Sequence, residues 1–291
     1  MADAGTVALV RPDIVNTDLP EGFGVVAKPL SLWERLADNN VVRKAVLLAL
    51  MALGWQAYAV WLDNPLLVPT FTDTARAFFA SLRSGELTSA TFHSIGLLLQ
   101  GYVLGLVFAA LATALAITTR IGADLLETLT SMFNPLPSIA LLPLAMIWFG
   151  LGEGSIIFVL IHAVLWSVAL NTHSGFKSVS PTWRMVGQNY GLSQIAYVTK
   201  ILIPGALPSI LTGLKIGWAF AWRTLIAAEL VFGVSSSGGG LGWYIFQNKN
   251  LLEIPNVFAG LLMVIVFGLL VDNLVFRTLE RRTIRRWGMQ S

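Results

Sequence analysis

A chain of 291 residues with 55% hydrophobic and 12% charged side chains and a mean hydropathy of +0.71 lies far from a soluble domain, where about a quarter of residues are charged. It reads as an all-helical integral membrane protein. The formal charge of +3 needs no nucleic acid to explain it, only basic residues distributed unevenly across a bilayer. The absence of cysteine excludes a disulfide framework and thiolate chemistry, and leaves the redox compartment unread.

Residues 1–30 are polar and contain no apolar run of the length a secretory signal requires, which predicts a disordered cytoplasmic tail. Ser31-Leu32-Trp33-Glu34 has the form of a capping box and predicts an interfacial elbow helix over 31–41. A membrane domain over 42–276 follows. Its first span is expected at Val42–Leu62, stopped by Asp63-Asn64-Pro65, and an interfacial helix at Pro69–Leu82, too short to cross. The second span, Phe92–Thr118, carries Gly101, Gly105, Ala109 and Thr113 at every fourth position, a stripe that lets another helix approach closely. The third, Leu125–Phe149, contains Asn134, Pro135, Pro137 and Pro143 and should be kinked and interior, because carbonyls freed by proline must be satisfied by protein. The fourth is expected at Ser155–Leu170, the fifth at Leu207–Phe232 and the sixth at Val257–Phe276. Ser235 to Gly240 form a flexible loop, and 277–291 is a basic cytoplasmic tail.

Between the fourth and fifth spans lies the longest polar interruption, SPTWRMVGQNYGLSQIAYVTKILIPGALP, from Ser180 to Pro208. Ser180 followed by Pro181 is a helix start, a side-chain cap and then a residue with no donor to lose. Gly191 suits a left-handed terminator. Ser193 opens a second short helix, and Pro204 and Pro208 are expected to break the backbone as the chain re-enters the membrane.

Orientation follows from the basic residues. With both ends cytoplasmic, all but five of the 19 lysines and arginines face the cytoplasm; Arg76, Arg83 and Lys249 face outward, and Lys215 and Arg223 lie in the membrane. Six spans with both ends inside place the 180–204 loop in the cytoplasm.

The chain has no GxxxxGK[ST] loop, so nucleotide binding by that route falls to another subunit. His93, His162 and His173 lack metal-ligand spacing; His93 and His173 fall at span ends as interfacial polar residues, and mid-span His162 fits a bond to a neighbouring helix better than a proton relay. On the fifth span Lys215, Trp218, Trp222 and Glu229 share one stripe at helical spacing, while Gly213, Gly217 and Ala221 share the opposite, close-packing face. Arg223 lies beside the polar stripe near the middle of the span. A mid-membrane charge is tolerated where it faces protein or a wet cavity. These residues therefore outline a candidate substrate path, although Lys215 equally fits snorkelling and Glu229 a structural acceptor.

The run Gly191, nine residues, Ile201, one residue, Ile203-Pro204 resembles the Glu-Ala-Ala cytoplasmic loop of ABC importer permeases, with Met185, Val186 and Gly187 where the family has Glu-Ala-Ala. PLPSIALLPLAMIWFGLGEG and LPSILTGLKIGWAFAWRTLIAAELVFG look like the nitrate/sulfonate/taurine/bicarbonate branch. The resemblance covers roughly residues 43 to 280. It implies the type I ABC importer permease fold, with Ser180, Pro181, Trp183, Arg184, Met185, Val186, Gly187, Gln188 and Gly191 forming the coupling helix that seats in an ATPase subunit. It further implies a second permease subunit, identical by expectation, two cytoplasmic ATPase subunits that bind ATP and Mg, and an external solute-binding protein. No cofactor is expected in this chain. The implied location is the bacterial inner membrane and the cargo a small anion, either nitrate, bicarbonate, a sulfonate such as taurine, or a carboxylate. The alternatives are a passive anion channel and a permease for a non-anionic solute.

Overall fold

The computed structural model describes residues 39–232 and 239–283, except the side chains of Arg184, Gln188 and Phe232. The tail over 1–30, the capping box at Ser31–Glu34 and most of the serine–glycine loop lie outside these residues, as does the end of the basic tail. The chain divides into two units, Met1–Met51 and Ala52–Ser291. The helix α1, Asn40–Leu62, passes from one to the other.

In the larger unit every described element is helical: α2 Phe71–Ser84, α3 Glu86–Thr118, α4 Arg120–Phe133, α5 Leu142–Phe149, α6 Glu153–Ser178, α7 Pro181–Asn189, α8 Gln194–Tyr197, α9 Ile203–Phe232, α10 Leu241–Asn250, α11 Ile254–Val271 and α12 Arg277–Arg282. Among the described residues, five helices are long and apolar enough to cross a membrane. The pair Arg120–Phe133 and Ser138–Phe149 makes a sixth if it is one span, bent by 90°.

The core forms where α6 lies between α3 and α9, and small residues set the spacing. A Cβ placed on Gly101 would sit 2.5 Å from Leu160 Cβ, and one on Gly105 2.6 Å from Val164 Cβ. Farther along the same face of α6, Gly213 presses on Asn171 and Gly217 on Val168. The close-packing stripe expected of the second span and the glycine face of the fifth therefore meet the same partner. Leu98, Leu160, Val164 and Leu225 are sealed between them.

Two expectations about proline need correction. Where one kinked span was expected at Leu125–Phe149, two helices meet at 90°, a sharper break than a kink, and the second is less interior than expected, with Ile147, Trp148 and Phe149 exposed. Pro135 and Pro137 supply no donors, so the break closes on single turns: Leu136 N–H donates to Phe133 O at 3.1 Å and Ala140 N–H to Pro137 O at 2.9 Å. Pro204 and Pro208, in contrast, do not break the chain. Gln194–Val231 is one helical rod of 38 residues. A wide π turn at Val198–Leu202, closed by Ile203 N–H to Val198 O, immediately precedes Pro204 and shifts the carbonyls its ring would strike.

Candidate functional site

At one end of the bundle, α7 and α8 form a compact pair. Ser180 Oγ accepts from Thr182 N–H at 3.3 Å, and Pro181 is the first helical residue. Gly191 adopts φ +60°, and Leu192 N–H reaches back to Gly187 O at 3.1 Å, the 6→1 bond of a Schellman closure. Ser193 Oγ caps α8 by accepting from Ala196 N–H at 3.4 Å. Gly187 is where the two short helices meet, its absent side chain leaving room for Tyr197 and Ile201. Trp183, Met185, Val186, Tyr190 and Ile195 are all exposed. Five apolar side chains on a stretch flanked by polar residues give a protruding surface suited to burial against another protein.

Halfway along the bundle, the proline break, α6 and α9 enclose a cavity of about 350 Å³. Arg223 lines it and is exposed in the isolated chain. Its Nε–H donates to Ala219 O at 3.0 Å, and the guanidinium lies 5.2 Å from the centre of the Phe220 ring. Across the cavity, Ser138 Oγ and His162 Nδ1 are 3.1 Å apart, and Trp166 stacks on Phe133 at 5.3 Å. No carboxylate occurs among the described residues lining this cavity. The expected bond between His162 and a neighbouring helix thus reaches the 3₁₀ turn Ser138–Leu141.

The structure brings Lys215, Trp218, Trp222 and Arg223 onto a second groove, between α9 and α11, together with Asp272. Their environments differ. Lys215 Nζ is 3.0 Å from Asp272 and 3.8 Å from Glu280, so its charge is matched from the end of the sixth span. Trp218 meets Tyr102 edge-on at 5.2 Å. Trp222 is 7% exposed and packed on Phe267 at 4.8 Å, which makes it a helix-packing residue with one edge on the groove.

Glu229 does not join them. At 4% exposure it is sealed against Ser94 of α3 and the start of α10. His173, expected at an interface, is buried, with Nε2 3.5 Å from Glu127. His93 Nε2 is 4.0 Å from Glu153. Ser94, Ser138, Trp166 and Asp272 escaped the sequence reading. Each meets a partner at least 24 residues away, which local spacing does not reveal.

Comparison with known proteins supplies the family. Residues 101–285 match the family of binding-protein-dependent transport system inner membrane components. A putative ABC transporter permease of Methanocaldococcus jannaschii is 31% identical over 82% of this chain and 90% of its own length. The taurine transport system permease of Escherichia coli is 31% identical over 81% and 86%, and the nitrate import permease of Synechocystis 28% identical over 85% and 90%. A solved chain of the MetNI methionine ABC transporter aligns with 73% of this chain and 95% of its own, at 17% identity and a TM-score of 0.47. With its described elements helical and its family match over residues 101–285, the chain belongs to the binding-protein-dependent family of ABC transporter permeases and is a transport subunit, not an enzyme.

Proposed function

We propose that this permease imports a small oxyanion, with Arg223 as its contact in the path. The observation that carries this is a guanidinium well inside the fifth span, open to a cavity whose described lining offers no counter-charge. Taking a lone charge into hydrocarbon costs several kcal/mol, which an anion or water in a path offsets. A guanidinium stays charged there and presents paired donors that match a planar or tetrahedral oxyanion. That curated relatives are named for taurine and nitrate fits the same chemistry.

In this reading two copies of the chain enclose the path in the inner membrane with both termini cytoplasmic. An external binding protein delivers the anion. Separate subunits bind ATP and Mg, and their closure moves the α7–α8 pair through the exposed Trp183, Met185, Val186 and Tyr190. Met185 replaces the family's acidic residue, so docking here relies on apolar contact.

The test is uptake of nitrate and of taurine by the complete complex in liposomes, comparing Arg223→Gln and Arg223→Lys with wild type. Loss of one charge-assisted contact, about 1.5–3 kcal/mol, lowers uptake at limiting anion roughly ten- to a hundred-fold in the Gln variant, with Lys retaining part of it. An assembled Gln complex that transports at the wild-type rate overturns the assignment.

A further inference from the structure

Glu229 lies near one end of the 38-residue rod Gln194–Val231, whose other end begins in α8. We propose that Glu229 is a positioning residue for transport: its carboxylate clamps the start of α10 to α9 and α3, so that motion begun at the α7–α8 pair reaches the opposite mouth with α10 carried as part of one body. This rests on the coupling reading above and adds the element on which it acts.

The geometry is that of a helix cap supplied from another helix. Gly242 N–H donates to Glu229 Oε2 at 2.8 Å. Ser94 O–H lies 2.7 and 2.8 Å from the two carboxylate oxygens and is shared between them. Ser94 Oγ in turn accepts from Leu241 N–H at 2.8 Å. Two of the four amides that a helix start leaves unpaired are thus satisfied by side-chain oxygens from α9 and α3. Such an approach requires glycine. A Cβ on Gly240 would fall 2.0 Å from Glu229 Oε1, and one on Gly242 2.6 Å from Ile226 O. Farther along, Tyr244 and Ser81 share a 2.8 Å hydrogen bond to α2. The outer side of α10, with Trp243 and Gln247, walls a polar cavity of about 650 Å³ that also receives Glu86 and Glu253. Moving α10 therefore reshapes that mouth. A helix of 38 residues is roughly 57 Å long, so one continuous element runs from the α7–α8 pair to Glu229.

The experiment places spin labels on exposed Val231 and Lys249, each replaced by cysteine in the naturally cysteine-free chain. Distances are measured in the complete complex, nucleotide-free and trapped with ATP and vanadate. A clamped body holds the 231–249 distance to about 1 Å, the amplitude of ordinary packed motion. In Glu229→Leu, which keeps bulk but accepts no hydrogen bond, the distance shifts on trapping and uptake per ATP hydrolysed falls. Glu229→Gln restores both, since its oxygen can accept from Gly242 while its amide donates to Ser94. A 231–249 distance that changes by several Å in wild type overturns the proposal, and so does a Leu variant that couples like wild type. If the Leu variant does not assemble, the wild-type distance decides. A label at Met185 that never responds to nucleotide would instead overturn the coupling reading.

Discussion

At the scale of single residues, the helix spacing depends on what is missing. Gly96 and Gly101 lie on the same helix, yet a Cβ on Gly96 meets nothing within 4 Å while one on Gly101 meets Leu160 Cβ at 2.5 Å. Alanine at the two sites should therefore act in opposite directions. Gly96→Ala gains helix propensity and keeps or raises the thermal midpoint of the purified subunit. Gly101→Ala pushes α3 off α6 and costs about 1–3 kcal/mol by overpacking. Equal midpoints for the two variants would show that α3 and α6 do not meet at Gly101. Ser94 and Glu229 make the complementary point. Neither is unusual in its own stretch of sequence, and only folding brings residues 135 positions apart within 2.7 Å.

At the scale of elements, the α7–α8 pair was legible because its information is local. Ser180 and Ser193 cap amides two and three residues on, Pro181 opens α7 with no donor to lose, and Gly191 takes the left-handed conformation, each as its type allows. The small-residue stripe was legible for the same reason, as a helical period. The prolines were not. Pro135 and Pro137 break the third span whereas Pro204 does not break the rod, and the difference is a π turn no residue type announces. The residues expected on a path were half legible: periodicity grouped Lys215, Trp218 and Trp222, but their partners Asp272, Tyr102 and Phe267 lie on other helices. For the pair itself, Gly191→Val should be the most informative change. A β-branched residue at φ +60° is strained by about 1–3 kcal/mol, so the Schellman closure opens and α7 loses its angle to α8. The expected result is normal membrane insertion, weakened retention of the ATPase subunit on purification, and uptake reduced several-fold. Full retention and full uptake would remove α7 from the coupling role.

At the scale of the whole molecule, length and charge make one further statement. The rod Gln194–Val231, roughly 57 Å by helical rise, exceeds a hydrocarbon core of about 30 Å. One end must stand outside the membrane, and its polar end begins at α8 beside the exposed Trp183 and Tyr190. Lys177, Lys200 and Arg277 to Arg282 fall on the same side by chain order, and under the rule that short basic loops stay inside the expected side is the cytoplasm. The 85–86 turn and the Leu251–Glu253 turn are then expected to face outward. The lack of native cysteine makes this directly measurable. In intact cells or spheroplasts, a membrane-impermeant maleimide should label Leu251→Cys, exposed in its turn, and leave Met185→Cys unmodified. In inverted vesicles Met185→Cys, in complexes stripped of the ATPase, should become the reactive site and Leu251→Cys the protected one. The reverse pattern would put the coupling pair where no ATP is available, and the ATP-driven reading would fall with it.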